Sequence, residues 1–446
     1  MSNEAGNAPS GSVAAPRGPN RWLQLVMGIG CMAMAANMQF GWTLFVDPID
    51  QKYHWGRAAI QLAFTIFIFT ETWLGPIEGW FVDKYGPRIV VVFGGFVGAL
   101  AWVLNSYADS LFLLYVGAVL GGIGAGSVFG TCVGNAQKWF PDRRGLAAGA
   151  TAFGFGAGSA VTIIPIAKMI ASSGYEAAFF NFGIGQGLVI IVLGLMMTKP
   201  VHMMSGAKKK LHLPQSAVNY TPGQTLRSPT FWLLYVIFAL VAVGGLTAAS
   251  QIGPIAHDYK IAGIPVSLFG LQMAALTFAI SLDRIFDGFG RPIFGMISDL
   301  IGRENTMFAA FGIGAVMLWV LSVYGHNPTV FIIAMAVYFG AFGEIYSLFP
   351  ATMADTFGPK YTTTNIGMLY TAKGMAALLV PVGSLLAKSY GWEVVFIIGV
   401  AFNAAAALLA LFVLKPLRRN LIKRSNAAVS TEPSSASTLL QKSSVA

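Results

Sequence analysis

Long apolar blocks separated by short polar connections dominate the pattern of this chain. The stretches VVVFGGFVGALAWVLNSYA, from Val90, and AFFNFGIGQGLVIIVLGLMM, from Ala178, are each long enough to cross ~30 Å of hydrocarbon at ~1.5 Å per residue. Twelve such blocks can be placed, at 22–46, 57–79, 89–107, 111–135, 145–171, 178–198, 230–253, 265–296, 306–324, 328–354, 365–388 and 392–414. All are expected to be helices, because open strands leave backbone groups unsatisfied in lipid. The predicted fold class is an all-α membrane protein with twelve transmembrane helices.

Composition agrees. The 446 residues are 55% hydrophobic and 10% charged, against roughly a quarter charged in a soluble domain. The net charge of +10 does not form a nucleic-acid stripe. The basic residues fall in alternate connections: Lys84, Arg88, Lys138, Arg143, Arg144, Lys199, Lys208 to Lys210, Arg227, Arg303, Lys360, Arg418, Arg419, Lys423 and Arg424 share one side. The opposite loops carry mainly Lys52, Arg57 and Lys260. By the positive-inside rule both termini are cytoplasmic. Residues 1–21, rich in Gly, Pro and Ser, are expected to be a disordered cytoplasmic tail, with no signal-peptide cleavage site. Cys31 and Cys132 both fall in apolar blocks and offer neither a disulfide framework nor a zinc site; they are expected to pack as small hydrophobes. No metal or cofactor is expected. The five histidines are scattered, and no nucleophile and base pairing or phosphate loop marks an enzyme.

An internal repeat divides the chain. GWFVDKYGPR begins at Gly79 and GMISDLIGR at Gly295. Both place Gly, Asp and Gly at the same spacing, each after the second helix of its half. The halves are 22–198 and 230–414, joined by a basic linker, 199–229, and followed by a cytoplasmic tail, 415–446. The glycines permit a tight turn and close helix contact, while Asp83 or Asp299 can accept bonds from a neighbouring helix N-terminus and from Arg or Lys. Gly79, Asp83, Arg88, Gly295, Asp299 and Arg303 are therefore candidate gating residues, suited to hold the cytoplasmic side shut. The pattern resembles the signature of the major facilitator superfamily. That resemblance implies a central site between two halves that rock to give alternating access. Glycines also crowd GAVLGGIGAGSVFG and GLAAGATAFGFGAG, as a sliding surface or as small-residue helix packing.

Ionisable residues inside the apolar blocks mark the candidate site. Asp283, Asp287 and Arg291 follow i, i+4, i+8 in the eighth block, and Arg284 is seven residues before Arg291, so all four share one stripe. Asp287 can pair with either arginine, and pairing alone is one explanation of the stripe. Depth argues for more: Arg291 lies ~12 Å and Lys373 ~13 Å inside the cytoplasmic ends of their helices, with Glu344 and Glu71 at similar depth. Intramembrane charges usually face a polar cavity and mark a substrate or proton path. An Arg fork with a Lys point charge suits a small carboxylate, whereas a sugar site would want more amides and hydroxyls.

A closer resemblance follows from NMQFGWTLFVDPI, AAIQLAFT, WFVDKYGPR, KWFPDRRGLAAG, GRPIFGMISDLIGR, YSLFPATMADTFG and TAKGMAA, which together are similar to the oxalate:formate antiporter family. The resemblance implies that Arg291 and Lys373 are the two substrate cations, with Gln39, Phe40, Gln61, Phe129, Phe342 and Tyr346 as polar and aromatic site residues. Phe40, Phe129 and Phe342 stand where that pattern has Tyr or Trp. Asp287, Asp283, Glu344 and Glu71, with Arg284, are candidate proton or charge-balancing groups. The spacing of Asp287 and Arg291 is also similar to that in proton-coupled monocarboxylate transporters. The expected function is secondary transport of small organic carboxylates in a bacterial inner membrane, by one chain acting as a monomer. Exchange and proton symport are alternatives; counting every mid-depth charge gives a near-neutral or slightly negative site, which would call for a proton. A non-transporting sensor would keep the helices but would need no buried Lys373.

Overall fold

The structure is a computed structural model and describes residues 20–200, 213–268 and 270–431. The tail up to residue 19, the Lys208 to Lys210 run and the chain after 431 lie outside the described residues. Among the described residues ten helices are long and apolar enough to cross a membrane: α1 (Arg21–Tyr53), α3 (Pro87–Ser106), α4 (Leu111–Trp139), α5 (Arg144–Ser173), α6 (Tyr175–Met196), α7 (Pro229–Asp258), α9 (Arg303–Tyr324), α10 (Pro328–Phe357), α11 (Thr362–Tyr390) and α12 (Trp392–Ala428). A bent pair, Arg57–Trp73 and Gly75–Tyr85 at 42°, makes α2. The charged helix α8 (Ala275–Ile301), 27 residues long, completes twelve; at ~1.5 Å per residue it is ~40 Å long.

Single glycines make several of the reversals. Gly86, Gly174, Gly302 and Gly391 have φ between +86° and +99°, and in each case one helix ends immediately before the glycine and the next begins immediately after it. A side chain would be strained at that φ. The bend in α2 falls at Gly75 and Pro76, where the proline lacks the N–H that would continue the preceding helix.

Two boundaries differ from the sequence expectation. Residues 265–274 form an antiparallel hairpin, β1 (Pro265–Leu268) with β2 (Leu271–Ala274), so the eighth span begins at Ala275. Its strands are short and mostly exposed, and an apolar run of that length reads equally well as a helix start. At the other end, helix continues beyond 414 through Lys415–Thr431. Arg418 there is buried against Glu304 of α9, and Asn426 takes the Gln215 carbonyl and the Ala217 amide of the linker.

The second half has one contiguous apolar core running from Phe231 in α7 to Leu414 in α12. The first half has a cluster at each end and one between. The halves meet where α2 packs on α11 and α5 packs on α8 and α10. Backbone approach there is close enough that a Cβ on Gly367 would strike Gly75, and one on Gly295 would strike Gly145. The glycines of α4 and α5 are likewise in helix contacts, for example Gly124 against Gly98 and Gly158 against Ala33. That is the packing role open to them from sequence.

Candidate functional site

Arg291 is buried at mid-depth in α8. One guanidinium nitrogen donates to Asp287 Oδ2 at 2.6 Å, the other to the Ala152 carbonyl of α5 at 2.9 Å. Pro292 follows it, and Gly149 of α5 lies against its backbone, so the two helices approach without a side chain between them. Lys373 of α11 stands opposite, 3.4 Å from Glu71 of α2. Tyr346 of α10 lies between the two cations: its ring centre is 4.5 Å from the Arg291 guanidinium carbon and 5.7 Å from the Lys373 ammonium. The ring's negative face favours both. Each cation thus bridges the halves, Arg291 to α5 and Lys373 to α2.

The other candidates separate into groups. Phe129 meets Tyr346 and Tyr370 edge-on and also Phe155, which in turn meets Phe40. Phe342 packs edge-on against Tyr346 from the second half. Gln39 keeps a buried side-chain oxygen without a partner. Gln61 is exposed; it lies three turns before Thr72, which touches α11 at Gly374, so it faces the outer part of the space between the halves. Arg284 reaches across to the first half, 5.1 Å from the ring centre of Phe40. Asp287 therefore takes Arg291 rather than Arg284, because Arg291 alone also finds a backbone acceptor on α5. Asp283 and Glu344 are 1% and 0% exposed, each with unpaired carboxyl oxygen, and neither forms an ion pair with the three cations among the described residues. Two ion pairs account for part of the mid-depth charge. Asp287 pairs with Arg291 and Glu71 with Lys373, while among the described residues Arg284 has no acid, and Asp283 and Glu344 no cation, within ion-pair distance.

The repeated turns form two related clasps at the end of the molecule that carries the basic connections. Asp83 accepts from the Thr363 and Thr364 amides at the start of α11 at 3.3 and 2.9 Å, from the Thr364 hydroxyl at 2.7 Å and from Lys138 at 2.6 Å. Asp299 accepts from the Gly145 and Leu146 amides at the start of α5 at 3.0 and 2.9 Å, and pairs with Arg303 at 2.7 Å. Gly79 and Gly295 allow these approaches, since a Cβ on either would strike backbone of the opposite half. Arg88 takes no part; its Nε donates to the Met197 carbonyl at the end of α6. The basic end is closed. All 13 residues of Ile345–Phe357 are buried, whereas Val380–Tyr390, at the far end of α11, has no buried residue.

Several participants were not evident from sequence. Asp355 joins Arg144 of one half to Arg303 of the other, both at 2.9 Å. Phe155 and Tyr370 complete the aromatic wall. Glu78, two turns after Glu71 in α2, has both carboxyl oxygens unpaired; its spacing from Glu71 was the available signal. A cavity of about 310 Å³ lies elsewhere, among Val243, Thr247, Leu379, Val382 and Phe402 of α7, α11 and α12. No ionisable side chain lines it, so it is not the charged site.

The sequence matches the Major Facilitator Superfamily model over residues 25–287 and 252–444. It is 34% identical over 406 residues to the oxalate:formate antiporter of Oxalobacter formigenes, covering 91% of this chain and 94% of that protein. In structure it is similar to the Escherichia coli fucose:proton symporter, with a TM-score of 0.64 at 14% identity over 87% of this chain and 97% of that one. A proton:xylose symporter gives 0.66 at 13% identity, covering 88% and 95%. These two likenesses speak to fold alone.

Proposed function

The chain belongs to the Major Facilitator Superfamily and, within it, to the oxalate:formate antiporter family, and from that premise we propose that this secondary transporter exchanges small organic carboxylates by alternating access. The observation that carries the reading is the placement of Arg291 and Lys373 on either side of Tyr346, between the halves and beyond a closed end. Arg291 supplies a planar fork that matches a carboxylate, Lys373 a mobile second charge, and the Tyr346 hydroxyl a hydrogen bond. Phe129, Phe342 and Phe40 bound the apolar part of the substrate. Gln39 and Gln61 supply amides on the outer approach.

Exchange is favoured over proton symport by the 34% identity to an oxalate:formate antiporter. Gating is assigned to the Asp83 and Asp299 clasps, with Arg303 holding Asp299 and Gly79 and Gly295 admitting the opposite backbone. The basic end faces the cytoplasm of a bacterial inner membrane, as the distribution of Lys and Arg supports. Since the site lies between the halves of one chain, a monomer suffices.

The test is counterflow in liposomes loaded with one carboxylate and offered a labelled panel outside, at clamped membrane potential, with and without a pH gradient. Uptake should require internal carboxylate and be insensitive to the gradient. Arg291→Lys, which keeps charge but loses the fork, should lose most uptake. Gradient-driven uptake without internal carboxylate would refute exchange; near-normal uptake by Arg291→Lys would refute the assigned role.

A further inference from the structure

Arg284 is the cation the exchange site leaves over. It lies seven residues before Arg291 on α8, on the same helical face, and hence ~10 Å farther from the closed end. No acid lies within ion-pair distance of it among the described residues, although the neighbouring Asp283 carboxyl feels its charge. Asp283 is its sequence neighbour, but adjacent helical positions do not face each other, and Asp283 is buried at 1% exposure. Arg284 is partly exposed and is held over Phe40 of the opposite half.

What lies between the two arginines is aromatic and continuous. From Arg284 the contacts run to Phe40, then Phe155 at 5.4 Å, Phe129 at 5.4 Å, Tyr346 at 6.2 Å, and so to Arg291. Gln39 precedes Phe40, and its buried side-chain oxygen has no hydrogen-bond partner among the described residues.

We propose that Arg284, with Gln39 and Phe40, forms an outer anion subsite, so that the transporter accepts organic acids carrying a second acidic group several carbons from the first. This deepens the carboxylate reading above and rests on it. The first carboxylate sits on Arg291 and Lys373, the carbon spacer lies along the aromatic wall, and the second carboxylate takes the Arg284 fork. Oxalate is too short to reach both, because its carboxyl carbons are separated by one bond of ~1.5 Å. A monocarboxylate uses the inner site only. The second carboxylate also brings the charge that Arg284 compensates, so a dianion is better matched to the site than to Arg291 and Lys373 alone, each of which already faces an acid.

Counterflow KM values should be measured in liposomes for acetate, oxalate, succinate and adipate. Arg284→Gln should raise KM for succinate or adipate about 10- to 100-fold, the worth of a charged hydrogen bond, while KM for acetate and oxalate stays within about threefold. Arg284→Lys, which retains the charge, should recover part of the diacid affinity. An equal loss for all four acids would show that Arg284 only positions Phe40, and no change for the longer diacids would show that it binds nothing; either result overturns the proposal. Transport of acetate or oxalate but no longer diacid by the unaltered protein overturns the subsite and leaves the carboxylate reading intact, whereas failure to transport any carboxylate overturns both.

Discussion

Asp83→Asn isolates the clasp from the substrate site. Three bonds from Asp83 cross between the halves, from the Thr363 amide, the Thr364 amide and the Thr364 hydroxyl. A bond to a charged acceptor is worth ~1.5–3 kcal/mol, and a neutral acceptor makes it roughly half as strong. The substitution also removes the Lys138 ion pair, but that pair lies within the first half and survives opening. Water replaces part of what the crossing bonds lose when the basic end opens. A net change of ~2 kcal/mol in the balance between closed and open forms follows, which is ~30-fold in population. The assay is an electron-spin distance across the basic end, with labels on Arg143→Cys and Lys360→Cys, both exposed. The native Cys31 and Cys132 are buried and should not take label. The short-distance population should fall, turnover should change, and equilibrium substrate affinity should stay within about threefold once the population shift is corrected for. An unchanged distance distribution accompanied by a more than tenfold loss of affinity would refute the gating role and place Asp83 in substrate binding.

The remaining predictions concern burial. Lys373→Gln leaves Glu71 without its cation and should destabilise the protein by ~3–5 kcal/mol, seen as a lower thermal unfolding midpoint. The double variant with Glu71→Gln should regain most of that stability and still fail to transport; a double variant as unstable as the single would show that the pair is not what makes the single variant unstable. Gly295→Ala places a Cβ against the Gly145 carbonyl. At ~1–3 kcal/mol of overpacking it should hold the basic end apart and slow exchange about 5- to 150-fold, with normal expression, and unaltered exchange would contradict the closed geometry.

The sequence carried the repeat because two copies of a Gly and Asp spacing at equivalent positions are hard to obtain without equivalent structure. Asp83 and Asp299 meet helix N-termini, as their residue type and position anticipated. Depth was also legible, since helical rise converts residue counts into distance. The partner of Asp287 was not: Arg284 and Arg291 are both within helical reach, and the choice is made by the Ala152 carbonyl, which belongs to another helix. For the same reason sequence placed Asp283 and Glu344 at mid-depth yet could not show that neither forms an ion pair with the cations. The hairpin at 265–274 escaped because PVSLFGLQMA is mostly apolar, so its pattern continues that of α8. The Gly75 and Pro76 bend in α2 escaped too, because the block at 57–79 reads as one continuous helix.

The two levels of the molecule share the same helix pairs, and this bears on why exchange, not free leak, should result. On α2 and α11 the Glu71 to Lys373 bridge lies above the Asp83 to Thr364 clasp; on α5 and α8 the Ala152 to Arg291 bond lies above the Gly145 to Asp299 clasp. Within each pair the levels are seven to twelve residues apart, ~10–18 Å by helical rise. A carboxylate that takes the Arg291 fork competes with Ala152 and Asp287, and one that takes Lys373 competes with Glu71. Binding thus replaces inter-half bonds with bonds to a mobile ion, on the very helices that must separate for the basic end to open. Without a carboxylate, opening would break those bridges and leave Arg291 and Lys373 less well satisfied in a low-dielectric passage, a cost of several kcal/mol for an unpaired charge. With one bound, the cations keep an anionic partner throughout. On the proposed site, the barrier to reorientation would therefore be lower for the loaded carrier than for the unloaded one, and that difference would be the physical condition for coupling the outward passage of one carboxylate to the inward passage of another.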